Sequence, residues 1–412
     1  MTRHKIFVSA YACEPGLGSE IGVGWHWVLE MSKYFDLWVL TRESNRHTIE
    51  PWIAEHPEFA GINWLYFDLP KWARFWKKGM RGVRTYYNIW QMCSNSIVRK
   101  TMQENNIKIY HHLTYGNALW RVSSYGAKQF FIWGPIGGLE TIPTEFSKHY
   151  DTKWKIIEFV RRIIIKLLSI NIGINNRFKN ANLILSKTKI TQDYIPEQYR
   201  NKSVLQTDVA VEKLPEFSAK ENKHYGLKLV SIGRLDAWRG FDLIIEALTK
   251  AVKSDPNIHL TIVGKGSDRK RLEQIAMKNN VIKNITFTGN VSHDEYLGFL
   301  SESDAVVNAS LKEGAVTVSF DAMSMGKPLI CIDTTGYTRY FNSKYAIIIP
   351  LSSRSQIIDN ISNAILKLTD IETRKEMERN ADSASKCFTW EFRGKEICKL
   401  ITDQLESNAK NL

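Results

Sequence analysis

Ala305-Val306-Val307-Asn308 is followed by Lys312-Glu313-Gly314-Ala315-Val316-Thr317-Val318-Ser319-Phe320-Asp321-Ala322-Met323-Ser324-Met325-Gly326-Lys327-Pro328 and then by Leu329-Ile330-Cys331-Ile332. A short apolar run, a turn, a helical pattern and a second apolar run make one strand-helix-strand unit. The helix is expected from about Val316 to Met325, because Gly326 suits a helix end and Pro328 prevents continuation. The amides of Gly314, Ala315, Val316 and Thr317 then have no partner within the helix and can bind an anion. Glu313 at the turn and Asp321 two helical turns on can grip a ligand from two sides.

The same alternation runs through almost the whole chain and predicts parallel sheets built from βαβ units. A first series uses Ile6–Ala10, Leu37–Leu40, Ile62–Phe67, Ile107–His111, Gln129–Ile132 and Leu183–Leu185. A second uses Leu227–Ile232, His259–Val263, Ile285–Phe287, Ala305–Asn308 and Leu329–Ile332. Each series suits one doubly wound α/β domain, and 412 residues suit two such domains. The expected boundaries are 1–212 for the first domain and 213–382 for the second, with the polar stretch Lys213 to Lys223 as linker. Residues 383–412 read as a helical segment that packs back toward the first domain. A cleft is expected between the carboxyl edges of the two sheets.

A net charge of +13 points to anionic partners. No nucleic-acid motif accompanies it, so nucleic acid is not the expected partner. The five cysteines are scattered, with no spacing for a metal site, and fit a reducing cytoplasm. Ile6 to Cys13 reads as a first strand rather than a signal peptide. No segment reaches the about 20 apolar residues of a membrane span. Two stretches, Lys71 to Arg84 and Trp154 to Leu168, interleave aromatic and aliphatic residues with Arg and Lys, which suits an anionic membrane surface.

Three further turns carry chemistry. Gly233-Arg234-Leu235-Asp236-Ala237-Trp238-Arg239-Gly240 follows a strand, and its two arginines suit a diphosphate because the guanidinium fork matches phosphate oxygens. Gly264-Lys265-Gly266 closes the next strand, where glycines allow close backbone approach. In the first domain Gly16-Leu17-Gly18-Ser19-Glu20 and the glycines up to Gly24 follow the first strand, with Ser19 as an expected helix cap. They miss the dinucleotide pattern Gly-x-Gly-x-x-Gly, since Ile21 and Trp27 stand in the third glycine's place.

With these motifs the second half resembles the carboxyl-terminal domain of family 4 retaining glycosyltransferases, which have the GT-B fold of two facing Rossmann-like domains. Gly233 to Gly240 resembles the family's Gly-Arg-Leu-x-x-x-Lys-Gly, with Arg239 in the lysine place. Glu313 and Asp321 resemble its Glu-x7-Glu. The resemblance implies that Arg234 and Arg239 hold the donor diphosphate, that Glu313 meets the sugar hydroxyls, and that Asp321 binds the ribose. Asp321 departs from the pattern and is shorter than Glu by about 1.5 Å. The resemblance also implies donor contacts at Gly18, Gly233, Gly264 and Gly266, and at Gly314 to Thr317.

In the first half, Tyr110 to Gly116 and Trp133 to Glu140 resemble a subgroup of the same family. That likeness implies a histidine against the donor sugar, either His111 or His112, since a one-residue slip reverses the face. It sets Ser19, Glu20, Gly137 and Gly138 on the acceptor side. No Asp-x-Asp is present, so no metal and no cofactor are expected beside the nucleotide sugar and a saccharide or lipid-linked saccharide acceptor. The implied reaction is retaining transfer of a hexose-type sugar in polysaccharide assembly, in the cytoplasm or peripherally on the inner face of its membrane. The rival expectation is a decayed nucleotide-sugar-binding or membrane-scaffold protein, with Asp321 as the mark of decay.

Overall fold

The computed structural model describes residues 3–77, 81–123, 129–167, 172–212, 226–312 and 317–410. The linker stretch Lys213 to Lys223 lies outside them. Among the described residues there are two parallel sheets, one in each of two compact units.

The first sheet has strands β1 (Lys5–Ser9), β2 (Asp36–Arg42), β3 (Asn63–Phe67), β4 (Ile109–His112), β5 (Phe130–Ile136), β6 (Leu183–Ser186) and β7 (Ser203–Leu205), in the order β3-β2-β1-β4-β5-β6-β7. The second has β8 (Lys228–Ile232), β9 (His259–Val263), β10 (Ile285–Gly289), β11 (Ala305–Asn308), β12 (Leu329–Asp333) and β13 (Ala346–Pro350), in the order β10-β9-β8-β11-β12-β13. Both are doubly wound, as the alternating pattern predicts. β4, β6 and β11 are buried along their whole length, which explains why they read as continuous apolar runs rather than alternating ones.

The helices that bear on function are α1 (Ser19–Ser32), α2 (Val83–Cys93), α3 (Thr152–Lys166), α4 (Phe241–Ala251), α5 (Arg269–Lys278), α6 (His293–Glu302), α7 (Thr317–Ser324), α8 (Arg354–Lys367) and α9 (Trp390–Lys410). The expected helix after Glu313 is α7, which ends one residue earlier than expected, at Ser324; Val316 lies outside the described residues. β7 and β13 are edge strands beyond those read from the pattern.

The first unit comprises residues 1–139, 167–208 and 390–412; the second comprises 140–166 and 209–389. Residues 140–166 therefore cluster with the second sheet, whereas chain continuity alone puts them in the first domain. The reason is hydrophobic. Ile142, Phe146 and Tyr150 are buried in one cluster with Leu243, Ile244 and Ile262 of the second unit. At the other end, α9 packs on α1 in the first unit, with the His26 and Trp390 rings stacked at 5.0 Å. Gly394 permits that approach, since a Cβ there would lie 2.5 Å from the Glu30 side chain. Residues 383–389 stay with the second unit, where Phe388 packs on Phe320 and Phe341.

The two basic aromatic stretches differ. Lys71–Ala73 forms only a short 3-10 turn, with Trp72 and Phe75 exposed, so there is no amphipathic helix at its start; Gly82 breaks the stretch in a left-handed conformation before α2. The second stretch is a true helix, α3. No helix among the described residues is long and apolar enough to cross a membrane.

Candidate active site

β9, β8 and β11 are neighbours in the second sheet, so the turns that follow them lie side by side at one sheet edge. Ligands of open α/β sheets bind at such edges. The three turns are joined through their backbones. Gly233 N donates to Val263 O at 2.9 Å, and Leu235 N donates to Lys265 O at 3.0 Å. Leu311 N donates to Trp238 O at 2.9 Å.

This packing explains the glycines. A Cβ on Gly264 would lie 2.0 Å from Gly233 O, one on Gly266 2.1 Å from Leu235 O, and one on Gly240 2.2 Å from Ala309 O. Gly264 (φ 137°), Gly240 (φ 70°) and Gly233 (φ 157°) also hold backbone conformations that side chains disfavour. The sequence reading took Gly264 and Gly266 to make room for a ligand. What they make room for is the adjoining turn, and the Gly264 amide already donates to Gly289 O at 2.8 Å.

Of the two arginines, Arg234 is mostly exposed, with 68% of its side chain open to solvent. Its Nε donates to the buried carboxylate of Asp236 at 2.6 Å, which aims a guanidinium at the sheet edge. Arg239 lies over the Trp238 ring at 4.4 Å, and Lys312 approaches the same ring at 5.5 Å. Trp238 thus gathers two cations, a role that residue type alone did not reveal. Lys312 is ion-paired with the buried Glu158 of α3. Burial lowers the Lys312 pKa, while the Glu158 hydrogen bond and charge raise it. Glu313, Gly314, Ala315 and Val316, including the acid expected to meet the donor sugar, lie outside the described residues.

Thr317 opens α7 and is exposed. Ser319 on the inner face of α7 accepts from Asn308 Nδ2 at 3.1 Å, which fixes the helix to the end of β11. Asp321 faces α6, where its carboxylate accepts the phenol hydrogen of Tyr296. Burial pushes the Asp321 carboxyl up to about 6, opposed by the Tyr296 hydrogen bond and the His293 charge. Tyr296 was missed in the sequence because nothing local connects it to Asp321.

In the first unit the carboxyl-end turns are also joined. Glu20 Oε1 accepts from Gly116 N at 3.1 Å, and Gly137 N donates to Gly116 O at 2.7 Å. Glu20 and Gly137, both expected on the acceptor side, therefore meet at Gly116. Gly138 has φ 92°, and a Cβ on it would lie 2.4 Å from Asn117 Nδ2. The cap of α1 is Gly18 rather than Ser19, which is already the first helical residue; no side chain caps the helix. Nothing lies within 4 Å of a Cβ built on Gly18, so the chain's own packing does not demand glycine there.

His111 and His112 are both buried and point to opposite faces of β4. His111 Nε2 lies 2.7 Å from Gly134 O and donates to it, since a carbonyl only accepts. His112 Nε2 lies 3.0 Å from the Tyr87 hydroxyl of α2. Burial lowers the pKa of His111 to about 4 and of His112 to about 3. Both rings are neutral at pH 7.

The two doubly wound sheets are those of GT-B glycosyltransferase structures. Across 97% of this chain and 99% of the other, the fold matches the lipopolysaccharide outer core galactosyltransferase WaaB with a TM-score of 0.63 at 12% identity. It matches Anabaena HepE, solved in complex with UDP, with a TM-score of 0.58 at 14% identity over 97% of this chain and 100% of that one. Residues 214–384 match the family Glycosyl transferases group 1. The matched residues all lie within the second unit. An uncharacterized glycosyltransferase of Methanocaldococcus jannaschii is 28% identical over 236 residues, which span 54% of this chain and 59% of that relative.

Proposed function

We propose that this chain is a glycosyltransferase that moves a hexose-type sugar from a nucleotide diphosphate sugar to a saccharide acceptor, with retention at the anomeric carbon and without a metal. The observation that carries the reading is the joined set of turns after β9, β8 and β11, with Arg239 and Lys312 on Trp238 and Arg234 aimed by Asp236. These are fixed cations at a sheet edge, in a domain whose family transfers glycosyl groups.

As the anomeric C–O bond of the donor breaks, its electron pair goes to the diphosphate and the sugar becomes oxocarbenium-like. Arg234 and Arg239 stabilise that growing negative charge without reorganising. The acceptor oxygen bonds to the same face of the anomeric carbon, and the leaving phosphate takes the acceptor's proton. HepE was solved with UDP, which supports a nucleotide donor. The name of WaaB speaks of lipopolysaccharide, which supports a lipid-linked acceptor of surface polysaccharide assembly, met at the cytoplasmic face of a membrane.

A thermal-shift screen with UDP, GDP, ADP, CDP and dTDP, followed by transfer assays with the sugars of the responding nucleotide, tests the reading. A nucleotide at a hundred times its Kd stabilises by about 2.7 kcal/mol. Selective stabilisation with transfer supports the proposal, and no response to any of the five overturns it. The hold of Tyr296 on Asp321 favours one rival, a decayed nucleotide-sugar-binding protein. Stabilisation without transfer or donor hydrolysis is the outcome that rival requires.

A further inference from the structure

Helix α3 is amphipathic with its apolar side turned outward. Ile156, Phe159, Val160, Ile163 and Ile164 are all exposed, Phe159 by 64% and Ile156 by 57%, and Leu167 just after the helix is exposed by 52%. At 3.6 residues per turn, these six residues and the exposed Ile157 lie within an arc of about 160°. Lys155 and Lys166, both exposed, line one edge of that arc, and the exposed Lys153 stands at its amino-terminal end.

The opposite side of the helix is already committed to the second unit. Glu158, the helix's one acid, is buried against Lys312. Arg161 Nε donates to Glu140 O at 2.8 Å, and Arg162 Nη1 donates to Thr144 Oγ1 at 2.9 Å. Ile165 is buried and Trp154 packs on the core cluster. Rolling the apolar stripe inward would break all of these contacts. The stripe is therefore a surface feature of the folded unit, not a core face that has failed to dock.

We propose that the outward face of α3 is a docking surface for an anionic lipid bilayer. The side chains of the stripe enter the boundary between headgroups and acyl chains, and Lys153, Lys155 and Lys166 meet the lipid phosphates. Charge decides for a bilayer over a second copy of the chain: every exposed charge on this helix is positive, so two copies facing each other would repel. The inference deepens the membrane-side acceptor proposed above, and it adds a connection. Glu158 on the inner face is paired with Lys312, which follows β11, so the docked helix is tied by an ion pair to the segment after that strand.

The test is co-sedimentation of the full chain with vesicles of phosphatidylcholine alone and of phosphatidylcholine with phosphatidylglycerol, at low and high salt. Three lysines should favour the anionic vesicles by a factor on the order of a hundred, with the preference lost in high salt. Phe159→Asp with Ile163→Asp should abolish pelleting on both vesicle types. Lys155→Glu with Lys166→Glu should remove only the preference, and it serves as the test if the first variant does not fold. Equal wild-type recovery on neutral and anionic vesicles overturns the proposal, as does undiminished pelleting of a folded variant. A wild-type dimer that dissociates in the Phe159→Asp, Ile163→Asp variant also overturns it. Pelleting needs no nucleotide, so its failure is distinguishable from failure of the transfer reading.

Discussion

The phenol of Tyr296 on α6 donates to the carboxylate of Asp321 on α7, 25 residues away in the sequence. The acid that departs from the resembled pattern is thus held by a neighbouring helix.

Asp321 predicts a pH dependence with a definite sign. Folding raises its pKa from 3.8 to about 6, chiefly by burial, so the folded state favours the protonated form. Its contribution to stability is fully present below the unfolded pKa and is lost as pH rises through about 6, by up to about 3 kcal/mol. Asp321→Asn cannot ionise. It should melt higher than wild type at pH 7.5, with the gap closing below about pH 4, as thermal denaturation across pH would show. Under the proposed donor site, Asp321→Glu supplies the acid of the resembled pattern and should tighten nucleotide binding in the same buffer.

The two β4 histidines act in the opposite direction. Burial depresses both pKa values, so the stability they contribute is present above 6.5 and is lost as pH falls toward about 4 and about 3. The first unit should lose stability steadily below pH 6.5. In His112→Gln or His111→Gln the slope of melting temperature against pH should be shallower over that window.

Glu158 and Lys312 form a buried pair joining α3 to the end of the β11 turn. Removing one partner strands a charge, so Glu158→Leu or Lys312→Met alone should cost about 3–5 kcal/mol. The double variant should recover most of that loss. Urea denaturation of the four proteins forms the cycle, and equal losses in single and double variants would argue against a coupled pair.

Under the proposed transfer reaction, Arg234→Ala should lower kcat/KM by about 10²-fold or more, the size of effect seen when one fixed donor to a developing anion is removed. Arg239→Lys supplies the lysine of the resembled pattern and keeps the charge over Trp238; a loss of about tenfold or less is expected. Steady-state kinetics with the responding donor would measure both. Normal turnover by Arg234→Ala would remove Arg234 from the site.

Fold class was legible because both sheets are built from local units. An apolar run such as Ala305–Asn308, a glycine turn and an amphipathic helix specify one another within about twenty residues. β7 and β13 were less legible, since a short edge strand pairs on one side only and its run resembles a loop until its partner is known. Arg234, Arg239 and the glycines of their turn stood out for the same local reason, although the cause of the Gly264 and Gly266 requirement proved to be backbone packing.

By itself, the sequence determined the strand-turn-helix units, the family resemblance of the second half and the arginine turn, because backbone geometry and hydrophobic periodicity are set by neighbouring residues. Tertiary structure alone decided that Ile142, Phe146 and Tyr150 carry residues 140–166 into the second unit. It also decided that Tyr296 holds Asp321 and that Glu158 meets Lys312 across 154 residues. Those partners are chosen by the burial of apolar surface and by the cost of leaving a buried charge unpaired, and both depend on the completed path of the chain.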